Sequence, residues 1–93
     1  MDTEIIHNED ENKFYAIVNG KEAYLRYLLQ DDKTMNTIKT YVPPELRGHG
    51  IAGKVVFAAL EFAKQKGYKV IPTCSYVETY IERHKEYEIL VSD

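Results

Sequence analysis

Apolar and polar residues alternate through the first half of the chain, the pattern of strands with one buried face. Ile5 and Ile6 predict a short strand near the start. Lys13 to Val18 (KFYAIV) predicts a second, because aromatic and β-branched residues fit a pleated, half-buried surface. Asn19-Gly20 supplies the two left-handed positions of a type I′ hairpin turn, so the next strand runs antiparallel to the second. In that strand Ala23, Leu25, Tyr27 and Leu29 share one face and Glu22, Tyr24 and Arg26 the other, which predicts one face packed on helices. Gln30 to Lys33 turns the chain again. Thr34 to Val42 forms a further strand, with Ile38, Thr40 and Val42 alternating against Lys39 and Tyr41, and Pro43-Pro44 stops it by removing two backbone donors.

At Gly50 the period changes. Ile51, Ala52, Val55, Val56, Ala59, Leu60, Phe62 and Ala63 recur at three- and four-residue spacing, an amphipathic helix. Gly67 ends it as a left-handed cap, and Lys64 and Lys66 in its last turn complement the helix dipole. Lys69 to Thr73 is a short buried strand in which Pro72 breaks the pairing. Ser75 to Glu78 has capping-box spacing, which predicts a helix from about Tyr76 to Arg83 and a last short turn near Glu86 to Leu90.

Composition narrows the class. Ninety-three residues at 44% hydrophobic and 29% charged fit one small globular domain over 1–93. Eight Tyr supply enough apolar surface to exclude a disordered chain. No apolar run approaches the ~20 residues that span a bilayer. The acidic start of the chain is unlike a signal peptide, so the expectation is a cytoplasmic protein with no membrane partner. Fifteen acids against 12 bases argue against nucleic acid as a partner. The charge is uneven, however: Arg47, Lys54, Lys64, Lys66 and Lys69 face Glu61 alone across 47–69, a stretch that favours an anion. One cysteine excludes an internal disulfide and a structural zinc site of its own, and no metal site is expected. No residue pattern sets the oligomeric state.

The informative segment is Arg47-Gly48-His49-Gly50-Ile51-Ala52-Gly53, which joins a strand to the long helix. Its glycines let backbone amides approach a ligand at the positive end of that helix, the arrangement that holds phosphate. Gly48, Gly50 and Gly53 also satisfy G-x-G-x-x-G. Five residues separate Val42 from Gly48, however, and no acid stands near Thr73 and Cys74 to meet a ribose hydroxyl, so a dinucleotide fold is disfavoured. No Gly-Lys-Ser/Thr follows, which excludes a nucleotide P-loop. A glycine-rich turn with no ligand is the plain alternative. Cys74 stands before the second helix, where free amides favour a thiolate and lower the pKa, although a lone cysteine is commonly a buried packing residue.

Arg47-x-x-Gly50-x-Ala52, entered from a strand and opening a long helix, resembles the Gln/Arg-x-x-Gly-x-Gly/Ala acyl-CoA signature of the Gcn5-related N-acetyltransferases. The segments 42–48, 70–77 and 80–84 narrow this to a resemblance to the small, single-domain YjdJ-type branch, over about Ile5 to Leu90. Lys85 departs from it, standing where the branch carries proline. The resemblance implies an α+β fold: a mixed sheet of about five strands, an antiparallel meander plus one parallel pair, with a CoA-loop helix and a short C-terminal helix. It implies acetyl-CoA as cosubstrate, with Tyr41 and Val42 along the pantetheine arm and Arg47, Gly48, His49, Gly50, Ile51, Ala52 and Gly53 at the pyrophosphate. Acetyl transfer to an amine, of a small molecule or a protein lysine, follows as the leading function. Cys74 would serve as nucleophile or base and Tyr80 as general acid to the departing thiolate, with packing as the alternative for each. Arg83 and His84 stand between a contact to the ribose end of CoA and simple dipole complementation. No helical segment precedes the first strand signals where the family builds part of its acceptor site, so the acceptor stays open. A non-catalytic CoA-binding or sensing module is the rival reading.

Overall fold

The computed structural model describes residues 3–92. Five strands form one sheet in the order β1 (Ile6–Asn8), β2 (Lys13–Val18), β3 (Lys21–Asp31), β4 (Thr34–Tyr41) and β5 (Lys69–Ile71). The first four make an antiparallel meander and β5 lies parallel to β4, the mixed sheet that the resemblance implies. The β2–β3 hairpin turns where expected, with Asn19 at φ 52° and Gly20 at φ 75°. Asn12, at φ 53°, makes the β1–β2 turn by the same left-handed device, as its short polar side chain allows.

Between β4 and β5 the chain passes through a 3-10 turn (Pro44–Leu46) and helix α1 (Ile51–Lys66). Gly67, at φ 74°, closes α1 in a Schellman motif: its amide bonds Lys64 O at 3.3 Å and the Tyr68 amide bonds Ala63 O at 2.8 Å. Helix α2 (Ser75–Arg83) and a 3-10 segment (Lys85–Leu90) complete the fold, and Val91 bridges back to Val70 beside β5.

Both helices pack on the same face of the sheet. Val55, Val56, Ala59, Leu60 and Ala63 of α1, with Val77 and Ile81 of α2, meet Phe14, Leu25, Tyr27, Met35 and Val70 in one buried cluster. Each large apolar side chain so buried contributes ~1.5–3 kcal/mol. A smaller cluster of Ala23, Leu46 and Ile51, flanked by Val18 and Val42, lies under the glycine segment. The opposite sheet face carries no helix among the described residues, and Ile6, Ile17 and Leu28 are exposed there.

The sequence reading is corrected at three places. The alternation of β4 breaks at Ile38: Tyr27 pairs with Thr37 but Arg26 with Lys39, so Ile38 is an extra residue in a β-bulge. Met35 and Thr37 therefore face inward before it, Thr40 after it, and Ile38 itself is exposed. Leu29, expected on the buried face, is exposed beside a second irregularity near the end of β3. Finally, Ser75 does not cap α2. Cys74 occupies the N-cap position and Ser75 is the first helical residue, so the capping box does not form.

Candidate functional site

Buried Leu46 and Ile51 clamp the four exposed residues Arg47 to Gly50 between them. Gly48 at φ 86° and Gly50 at φ 75° give this segment two left-handed turns that a side chain would strain. Gly50 is the N-cap of α1, and no side chain caps the helix start. The first helical hydrogen bond is donated by Lys54 to Gly50 O at 3.2 Å, which leaves the amides of Ile51, Ala52 and Gly53 outside the helix ladder. No acid stands in the first turn. The positive end of α1 is therefore neither capped nor neutralised by its own first turn, an arrangement suited to an anion.

Arg47 folds back and donates from Nε to Val42 O at 3.0 Å, bracing the loop on the end of β4. A cleft of about 230 Å³ lies against the loop, between Val42, Leu46, Arg47, Gly48, Gly50, Ile51 and Ala52 on one side and Tyr76 of α2 on the other. His49 is exposed at the loop tip and does not line this cleft. Gly53 lies beyond it, in a neighbouring groove of about 470 Å³ that Tyr80 also lines. A Cβ added at Gly53 would meet the Tyr76 hydroxyl and the Tyr80 ring, each at 3.8 Å. Tyr41 points elsewhere: its ring is on the outer face of the sheet, 5.7 Å from that of Tyr24.

The second feature is a parting of strands. β4 and β5 pair only from Thr34–Lys69 to Asn36–Ile71. Thr37 donates its hydroxyl to Ile71 O at 3.1 Å, and the Cys74 amide bonds Thr37 O at 2.8 Å, which ties the seam just past the last paired residues. At Pro72 the β5 side loses a donor, and at Ile38 the bulge twists β4 away, so Lys39 to Tyr41 pair with β3 alone. Cys74 stands at the fork, its Sγ 3.5 Å from the Thr40 hydroxyl.

Cys74 is half-buried, and burial pushes its thiol up. The Thr40 hydroxyl and the amides of Val77, Tyr76 and Thr40 outweigh that, so its pKa lies below the usual thiol value. These amides act through their field, since Sγ makes no full cap hydrogen bond. Tyr80 goes the other way: burial first, then the neighbouring Tyr76, Glu86 and Glu61, hold its hydroxyl protonated. Its ring stacks on His84 at 4.0 Å, and His84 donates from Nδ1 to the Tyr80 carbonyl at 2.8 Å. Six residues of helix, ~9 Å of rise, separate Cys74 from Tyr80. Tyr76 is nearer the cleft than either Tyr80 or Tyr41, and the sequence reading quoted it without giving it a role. Its signal was position, two residues past Cys74 in the first turn of a helix facing the glycine loop. Among the described residues no cluster of His, Cys, Asp and Glu suits a metal ion, and no helix is long and apolar enough to cross a membrane.

Comparison with known proteins bears on this arrangement. Protein NATD1 of Xenopus tropicalis is 31% identical over 80 residues, covering 84% of this chain and 73% of that protein. Protein NATD1 of Mus musculus is 30% identical over 80 residues, with the same two coverages. The NMR solution structure of a GCN5-like protein from Staphylococcus aureus superposes with a TM-score of 0.76 at 31% identity, over 96% of this chain and 87% of that one. The sequence profile of the GCN5-related N-acetyltransferases matches residues 13–90, which takes in the whole sheet except β1, the glycine loop and both helices. The chain belongs to the GCN5-related N-acetyltransferase family.

Proposed function

We propose that the protein transfers an acetyl group from acetyl-CoA to an amine, with Cys74 at the reacting centre. The observation that carries this reading is the fork itself. An uncapped helix start stands at one end of the β4–β5 parting, and a cysteine with a lowered pKa stands at its apex. Acetyl-CoA supplies the activated acyl group and an anionic pyrophosphate. The amides at the start of α1 and the Arg47 to Gly53 loop hold the diphosphate, and the edge of Lys39 to Val42 that no longer pairs with β5 receives the amide-bearing arm as a partial strand. This directs the thioester toward Cys74, beside the Thr40 hydroxyl.

A Cys74 thiolate at that point attacks the thioester carbonyl: a bond from Sγ to carbon forms, the bond from carbon to the CoA sulfur breaks, and the released thiolate takes a proton. The amine then attacks the acyl cysteine, Sγ leaves as thiolate, and the amine proton passes to solvent. The same thiolate also serves as a general base for direct transfer, and one measurement separates the two. On incubation with acetyl-CoA and no acceptor, the nucleophile produces an acetyl-sized mass increase that Cys74→Ala abolishes. Loss of acceptor-dependent turnover in Cys74→Ala with no adduct in the wild type identifies the base.

Tyr80 is the weaker catalytic candidate, because its ring is committed to His84 and it stands a turn and a half from Cys74. Tyr76, on the cleft wall, is better placed to meet the arm. Calorimetry tests the reading as a whole: acetyl-CoA binds saturably, Gly50→Val binds at least about tenfold more weakly, and NAD does not bind. Absent acetyl-CoA binding, or undiminished affinity in a folded Gly50→Val protein, overturns it. Binding without turnover over a panel of amines makes the protein a CoA-binding module instead.

A further inference from the structure

The uncovered face of the sheet carries two adjacent rows of side chains that the proposed chemistry does not use. Strand register sets Tyr15 opposite Tyr24 and Tyr24 opposite Tyr41, three tyrosines in line across β2, β3 and β4. The neighbouring row sets Lys13 opposite Arg26 and Arg26 opposite Lys39, three cations in line. Like charges directly opposite each other on antiparallel strands repel. Relief within the chain is partial. Lys13 is neutralised by Glu22 at 3.0 Å and Glu11 at 3.3 Å, which engages the acid beside the row. Among the described residues, Arg26 and Lys39 lie only toward the rings of Tyr24 and Tyr41, at 5.6 and 6.0 Å from the ring centres. A cation row that opposes its own sheet, with exposed Leu28 beside it and exposed Ile17 on the far side of the tyrosines, is a local conflict of the kind that binding surfaces retain.

The rows also end in an informative place. Lys39 and Tyr41 belong to the half of β4 that has parted from β5, on either side of Thr40, whose hydroxyl meets Cys74 Sγ. Thr40 itself faces the helices, where Cys74 packs on the core, so the two rows flank the fork on its outer side. We infer that the tyrosine and cation rows dock the acceptor, and that the acceptor is a polypeptide presenting a lysine flanked by Asp and Glu. The flanking carboxylates supply the charge that Arg26 and Lys39 lack, and the aliphatic parts of the segment lie along the tyrosines. The identity of the reacting amine rests on the acetyltransferase reading; the docking surface does not.

Three synthetic peptides test it, each with one central lysine, flanked respectively by Asp/Glu, by Ser/Gly and by Arg. Titrated into the isotope-labelled full chain, the acidic peptide binds at least about tenfold more tightly than the neutral one, and the Arg-flanked peptide does not bind. Amide shifts concentrate at Tyr24, Arg26, Lys39 and Tyr41. Arg26→Glu abolishes the preference for the acidic peptide while its melting temperature equals or exceeds that of the wild type, since alternating signs replace the like-charged row. Its affinity for acetyl-CoA stays within about twofold, because the loop is untouched. Equal affinity for the three peptides, shifts confined to other elements, tighter binding of a single-stranded RNA oligonucleotide, or self-association through this face overturns the inference. Failure of acetyl-CoA to bind while the acidic peptide still maps to these rows overturns the acetyltransferase reading and supports the docking surface. The reverse pair of results rejects the docking surface alone.

Discussion

Two halves of one strand are put to opposite uses. From Thr34 to Asn36, β4 is paired on both sides, Thr37 is tied across to Ile71 and Cys74, and Met35 and Thr37 are fully buried beneath the helices. From Ile38 to Tyr41 it is bulged, bonded on one side only and largely exposed. A strand with both neighbours in place has every backbone group engaged and offers a ligand nothing. A strand that has lost one neighbour offers a row of unpaired amides and carbonyls. The first half holds the sheet together, and the second creates the fork at which Cys74 stands. Only two residues, Ile38 and Pro72, separate these behaviours, one on each side of the seam. Function is thus bought locally, and the paired half carries the load.

Breaking the paired half has the largest effect. Met35→Ala removes a fully buried side chain from the seam between the sheet, α1 and β5, and the cavity left behind costs about 2–5 kcal/mol. Urea denaturation measures it. The same truncation at exposed Tyr41 costs well under half as much, and equal losses at the two sites would show that the two halves of β4 are not distinct.

Removing the bulge tests the other half. Deletion of Ile38 restores unbroken pairing with β3, keeping Thr37 opposite Tyr27 and setting Lys39 directly after it. Without the local twist, β4 continues straight alongside the Pro72–Cys74 segment and the fork narrows. Acetyl-CoA affinity then falls by at least about tenfold, roughly 1.4 kcal/mol, by calorimetry on a variant that still melts cooperatively. A deletion variant that folds and binds as the wild type does would separate the bulge from the site.

The two halves also differ in how far the sequence betrayed them. The hairpin at Asn19-Gly20, the amphipathic stripe of α1 and its Gly67 stop follow from local chemistry, and each appears within a residue of its expected place. The glycine loop was visible for the same reason, since left-handed turns before a helix call for glycine. The bulge was hidden because Thr34 to Val42 satisfies two phases: Met35 points inward on odd positions and Thr40 on even ones, so alternation read from either end looks sound. Cys74 was placed beside a capped helix start, whereas it is itself the N-cap. Ser75 and Glu78 have the right spacing, but the tie from the Cys74 amide to Thr37 O fixes the chain one residue earlier. Tyr76 shows the same limit, because the side of a helix that a ring takes depends on helix phase, which is settled by packing.

The smallest effect concerns the contact that joins the open half of β4 to the chemistry. The Thr40 hydroxyl 3.5 Å from Cys74 Sγ is the largest of the influences holding that thiol down against burial. Thr40→Val keeps the shape and removes the donor, so the thiol pKa rises from its lowered position toward the ordinary thiol range. Iodoacetamide reacts with the thiolate, so its rate against pH gives the midpoint directly: below that of a free thiol in the wild type, higher in Thr40→Val, and restored in Thr40→Ser. Stability follows the same sign. An acid whose folded pKa is depressed gains stability as pH rises through the window between its folded and unfolded values. The wild type therefore gains on Thr40→Val as pH approaches the ordinary thiol range and shows no thiol-dependent gain below the folded pKa. An alkylation midpoint unchanged by Thr40→Val would move the cause to the α2 amides alone and detach the open half of β4 from Cys74.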